Sequence, residues 1–110
     1  MESSAAVAAL AALAHQTRLA AFRLLVTAGP EGLAAGSVAD GLGLAPATLS
    51  FHLAHLRQAG LVRVRRDGRS LIYSVDFAAM AAMVAFLTEN CCGGADCGLP
   101  AARVREEAAP

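Results

Sequence analysis

All three cysteines of the chain fall within seven residues, in the run Asn90-Cys91-Cys92-Gly93-Gly94-Ala95-Asp96-Cys97. Cys91 and Cys92 are adjacent, so a bond between them would close a small, strained ring. Gly93 and Gly94 let the chain fold back, and three thiolates can then converge on one atom. Three soft donors suit a soft, three-coordinate ion and disfavour magnesium, calcium and manganese. Trivalent arsenic has three bonding positions and a lone pair, and antimony is similar. Zinc prefers a tetrahedron and would need Asp96, water or a residue of a second chain. Cadmium and copper(I) stay open, and an arsenical with one organic substituent needs only two of the thiols. A redox switch, with Cys97 pairing to Cys91 or Cys92, competes with these readings, as does a solvated tail that holds nothing. Catalysis fits poorly. A nucleophilic thiol wants a base or a helix N-terminus beside it, and these cysteines follow the end of a helix.

A second cluster carries charge. The chain has no lysine and no net charge. Residues 57–69 nevertheless hold Arg57, Arg63, Arg65, Arg66 and Arg69 against Asp67 alone, five positive charges less one negative, or +4. Guanidinium groups favour bidentate contact with phosphate or guanine. The competing reading is ordinary solvated surface.

The elements that must position these groups follow from periodicity and punctuation. Helical spacing predicts a helix over 4–14 capped by Ser3 or Ser4, and another over 16–27 with Leu19, Phe22, Leu25 and Val26 at helical spacing. Gly29-Pro30-Glu31-Gly32 forms a loop. A short helix over 35–41, with Val38 and Leu42 inward, turns through Leu42-Gly43-Leu44. A helix over 46–58 follows. Pro46 suits its first turn, Leu49, Leu53 and Leu56 line one face, and Gly60 ends it. The period then changes to two. Val62 and Val64 alternate with arginines, Asp67-Gly68 signals a hairpin, and Ser70 to Val75 returns. A last helix over 77–89 carries Met80, Val84 and Leu87. Residues 100–110 are expected to fray.

Two helices across a tight turn, followed by a basic hairpin, predict a mainly α winged helix-turn-helix with a small β-hairpin. Residues 1–90 form the domain and 91–110 a cysteine-containing tail. The second helix of such a pair lies in the major groove of double-stranded DNA. Thr48, Ser50, Phe51, His52 and His55 are expected on its outer face. Thr48 and Ser50 suit phosphate or base edges, Phe51 suits a thymine methyl, and Arg57 suits phosphate. Arg65, Arg66 and Arg69 flank the hairpin tip, within reach of the minor groove or the backbone. His15 reads as a helix-start residue.

Composition sets limits. One core fits 110 residues. Hydrophobic residues make up 56%, but alanine inflates the figure and adds little burial. A thin core of this kind needs a partner chain. The apolar run from Ala5 to Ala14 is too short to span a bilayer, and Glu2 replaces the positive charge of a secretion signal. The expectation is a cytoplasmic protein with no membrane partner. Three cysteines, without an even pairing, suit a reducing compartment better than a disulfide scaffold.

The chain resembles the ArsR/SmtB family of metalloregulatory repressors. Leu13-Ala14-His15-Gln16-Thr17-Arg18-Leu19, the run from Leu44 to Leu56, Ala59-Gly60-Leu61-Val62 and Asp67-Gly68-Arg69-Ser70 carry the resemblance, which covers residues 7–92. It implies a homodimer built from the first and last helices, bound to operator DNA without metal and released by it. The family's founding arsenic sensors carry thiols in the helix before the recognition helix. The corresponding stretch here, Ser37 to Leu42, has none. Its zinc sensors use histidines and carboxylates on the last helix, and this chain has no histidine there. The cysteine run, Cys91, Cys92 and Cys97, resembles the C-terminal site of another arsenic-responsive branch. The resemblance thus implies arsenite, a related trivalent arsenical or antimonite as inducer.

Overall fold

The computed structural model describes residues 1–98. The expectation for residues 100–110 lies outside them. The chain order is α1 (Ser3–Leu13), α2 (Gln16–Ala28), β1 (Leu33–Ala34), α3 (Ala35–Leu42), α4 (Pro46–Gln58), β2 (Val62–Asp67), β3 (Ser70–Val75) and α5 (Phe77–Thr88). No single helix among the described residues is long and apolar enough to cross a membrane.

The core lies where α2, α3 and α4 meet the sheet. Leu25, Val38, Leu49, Leu53, Leu56 and Leu61 are its largest fully buried side chains. Each leucine contributes about 1.5–3 kcal/mol of burial. The helix-turn-helix is fixed by chain punctuation on both sides of α4. After α3, the N–H groups of Leu44 and Gly43 close onto the carbonyls of Ala39 and Asp40, at 3.0 and 3.3 Å, with Gly43 left-handed at φ 66°. After α4, Leu61 and Gly60 repeat the motif onto Leu56 and Arg57, at 3.1 and 2.9 Å, with Gly60 at φ 80°. Each pair of bonds satisfies helix-end carbonyls that would otherwise lack partners. Pro46 occupies the first turn of α4.

The hairpin pairs Val62 with Val75, Val64 with Tyr73 and Asp67 with Ser70. It is not alone. β1 joins its other edge, Leu33 opposite Tyr73, giving an antiparallel order β1-β3-β2. Two residues are too few for a period-2 signal, so this strand escaped the sequence reading. The first helix also differs in its start. Glu2 is its N-cap and neither serine caps it through a side chain. Leu42 is only half-buried. α5 begins on Asp76, whose Oδ1 accepts from the Ala79 N–H at 3.0 Å. That bond, with Arg63 beside it, holds the carboxyl below the usual carboxylate range.

Candidate nucleic-acid interface and thiol cluster

The apolar stripe of α4 turns Leu49, Leu53 and Leu56 inward. Thr48, Ser50, Phe51, His55 and Arg57 are exposed, as the helical period requires. Phe51 is 68% exposed, an unusual position for a large aromatic. Successive helix residues turn by roughly 100°, which divides the exposed set into two flanks. Thr48, Phe51 and His55 share one, and Ser50 and Arg57 lie on the other.

His52 departs from the expectation. It is buried, only 8% exposed, because its place on the helix falls beside Leu49 and Leu56 at the edge of the core stripe. Its ring packs against His15, with centroids 4.7 Å apart, and against Phe51 at 5.6 Å. His52 Nδ1 is buried without a hydrogen-bond partner. Burial pushes its pKa below the ordinary histidine value, and His15, Arg18 and His55 add to the shift. His52 therefore belongs to the packing behind the recognition helix, not to its outer face.

His15 is the N-cap of α2, and its Nδ1 accepts from the Thr17 N–H at 3.1 Å. Sequence reasoning missed its neighbour Arg18. That side chain is buried, and its Nε donates to the Ala12 carbonyl at 2.6 Å. A cation there complements the C-terminal dipole of α1 and fixes the bend between α1 and α2. The available signal was an arginine one turn past a helix break, on the same face as Ala21 and Phe22.

On the wing, Arg65, Arg66 and Arg69 are exposed. Strand alternation sends Arg65 and Arg66 to opposite faces. Arg65 already has a protein partner, since its Nη2 donates to the Glu31 carbonyl at 3.2 Å. This bond ties the wing to the loop before β1. Arg63 pairs with Asp76 at 3.4 Å, which leaves Arg66 and Arg69 as the wing arginines with no such tie among the described residues.

The cysteines follow α5 in a tight turn over Cys91–Gly94. Asn90 is left-handed at φ 55°, and Cys92 and Gly93 repeat that conformation at 56° and 62°. The chain doubles back, as the glycines suggested, and the three sulfurs lie within 4.8 Å of one another. Among the described residues, no imidazole or carboxylate joins that group. Asp96 Oδ1 instead accepts from the Gly98 N–H at 3.0 Å. Cys92 and Cys97 are disulfide-bonded, with Cα atoms 5.9 Å apart, one of the two pairings that the redox reading allows. The reversal at Gly93-Gly94 brings them within the span of such a bond. Cys91 stays a free, half-buried thiol, its Sγ 3.2 Å from that of Cys97 and 3.9 Å from that of Cys92.

Comparison with known proteins agrees with this geometry. A helix-turn-helix domain family matches residues 13–65. The HTH-type transcriptional regulator YgaV of Escherichia coli K12 is 34% identical over 87 residues, covering 79% of this chain and 86% of that protein. The solved structure of HlyU from Vibrio cholerae superposes with a TM-score of 0.66 at 32% identity, over 84% of this chain and 99% of that one. An ArsR-like transcriptional regulator from Rhodococcus sp. RHA1 gives 0.69 at 25% identity, over 96% and 89%. The fold, the recognition helix and these likenesses agree: the chain belongs to the ArsR-type winged helix-turn-helix family of DNA-binding transcriptional regulators.

Proposed function

We propose that this regulator is a cytoplasmic, metalloid-responsive repressor. It binds operator DNA as a homodimer and leaves it when trivalent arsenic or antimony binds Cys91, Cys92 and Cys97. The observation that carries the reading is the convergence of three sulfurs beyond the end of α5, within 4.8 Å of one another and with no harder donor in the group among the described residues. Trivalent arsenic needs three soft ligands and no fourth. Zinc would have to recruit a fourth ligand from outside this group of three sulfurs.

The dimer is supported by the placement of apolar surface. α1 turns its alanines Ala6, Ala9 and Ala12 to the core and leaves Val7 and Leu10 exposed. α5, which touches α1, likewise exposes Val84 and Leu87. A related winged helix-turn-helix domain, Mb0332 from Mycobacterium bovis, is homodimeric. It is 28% identical, with a TM-score of 0.63, over 79% of this chain and 81% of that one. The thiol site thus follows the end of the helix that would join two DNA-reading units. For release, the ligand must favour an arrangement of those units that does not fit two half-sites, since equal affinity for both shifts nothing. A hundredfold change in DNA affinity corresponds to about 2.7 kcal/mol of coupling.

The test is a DNA-binding titration of the reduced protein with arsenite, antimonite, cadmium, zinc and copper(I). Arsenite and antimonite are expected to release DNA. Cys91→Ser, Cys92→Ser and Cys97→Ser should weaken the response and leave DNA affinity unchanged. Release by zinc, cadmium or copper(I) with none by arsenite would reassign the ligand. A full response in all three variants would move the site elsewhere.

A further inference from the structure

The three cysteines do not stand in equivalent positions. Cys92 and Cys97 are joined, and Cys91 rests beside Cys97. A sulfur in a disulfide has no thiolate to offer a metalloid, so the bonded form holds one usable donor out of three. One thiol cannot hold an ion that needs three, nor an arsenical that needs two. We infer that the Cys92–Cys97 disulfide is a redox gate on the metalloid site, set by the surrounding thiol–disulfide couple, with Cys97 as its essential pole. The inference rests on the metalloid reading of the same cluster.

The chemistry balances with low-molecular-weight thiols and disulfides as co-reactants. Closing the gate consumes one small disulfide. The sulfurs of Cys92 and Cys97 are oxidised and lose their protons, the S–S bond of the small molecule breaks, and two small thiols leave. Opening it is the reverse, in which two small thiols are oxidised to one disulfide and two protein thiols return. Only then can arsenite react, with three As–O bonds giving way to three As–S bonds and the three thiol protons leaving in three waters.

Cys91 gives the gate a second closed form. Its sulfur lies 3.2 Å from Cys97, nearer than to Cys92 at 3.9 Å. Attack by the Cys91 thiolate on Cys97 forms a Cys91–Cys97 bond and releases Cys92 as thiolate. Attack on Cys92 would instead form the strained bond between neighbours. Cys97 is therefore common to both accessible disulfides, and no disulfide of this kind forms without it.

The experiment uses the full-length protein, reduced with a phosphine or oxidised with glutathione disulfide, each then freed of reagent. Arsenite binding is measured by calorimetry, and alkylation with mass spectrometry maps the thiols. Reduced protein is expected to bind arsenite and oxidised protein to bind it more than about a hundredfold more weakly, with binding restored by reductant. The map should show Cys97 always in the bond. A second probe, phenylarsine oxide, needs only two thiols. Cys91→Ser should bind it when reduced and lose it on oxidation. Cys97→Ser, left with neighbouring thiols, should bind it in both conditions. Equal arsenite binding by oxidised and reduced protein overturns the gate and leaves the metalloid site standing. Loss of phenylarsine oxide binding by oxidised Cys97→Ser, with the mass map showing no glutathione on Cys91 or Cys92, also overturns it. Failure of the reduced protein to bind either arsenical overturns the metalloid reading itself, and the gate with it.

Discussion

His52 shows how one ring couples the recognition helix to the helix behind it. It faces His15 at the start of α2 and lies within the fields of Arg18 and His55, all carried by α2 or α4. Burial disfavours a charged ring, and the interactions with His15, Arg18 and His55 act in the same direction. The unfolded chain protonates this histidine near pH 6.5, whereas the folded chain does so only at lower pH. The unfolded state therefore takes up more protons as the solution is acidified. The stability that neutral His52 contributes is complete above pH 6.5 and declines as pH falls toward the folded value. Urea denaturation at pH 7.5 and 5.5 should show a loss in the wild-type protein that shrinks in His52→Leu. That variant also removes an unpartnered buried nitrogen, a feature that costs about 1–3 kcal/mol. An equal acid-induced loss in both proteins would place the pH dependence on other groups.

Among the elements, the sharpest local demand falls at Gly32, just before β1. Its φ is +74°, and a Cβ there would meet the Tyr73 carbonyl carbon at 2.9 Å and Ser74 Cβ at 3.0 Å. Gly32→Ala is expected to destabilise the fold by roughly 2 kcal/mol or more, from the left-handed backbone and the clash together. A denaturation midpoint unchanged by the substitution would mean that β1 is not held against β3. β1 was also the element least legible beforehand. The helix bounds of α4 and the strand β3 were read directly, because Pro46, Gly60, Asp67-Gly68 and the leucine stripe act within a few residues. β1 carries no pattern of its own and exists only because Tyr73 and Ile72 offer it an edge. His52 was misplaced for a related reason. A ring at the border of a helical stripe faces in or out according to its neighbour, here His15, which is distant in sequence. The cysteine turn was legible as a reversal. Which two sulfurs join was not, since that depends on the left-handed turn at Cys92 and Gly93.

The whole molecule is lopsided in its apolar surface. A monomer would gain by turning its larger side chains inward, yet α1 packs alanines against the core and shows Val7, 65% exposed, to solvent. On α5, Met83 is buried while Val84 and Leu87 are 53% and 57% exposed. Alanine faces let α1 lie close, and the larger residues outside supply what a second chain can cover. Two recognition helices held at fixed separation bind two half-sites far more tightly than either alone, because the second contact becomes intramolecular. Replacing Val84 and Leu87 together by glutamate should therefore separate the protomers without unfolding them, since both positions are already solvent-facing in one chain. Sedimentation equilibrium is expected to report a monomer, with far-ultraviolet circular dichroism unchanged. Affinity for a two-half-site operator should fall by about a hundredfold or more, while the arginines of the wing still give weak, salt-sensitive binding. A double variant that remains a dimer of normal operator affinity would remove α5 from the interface. It would also separate the thiol cluster from the joint through which a ligand is proposed to act.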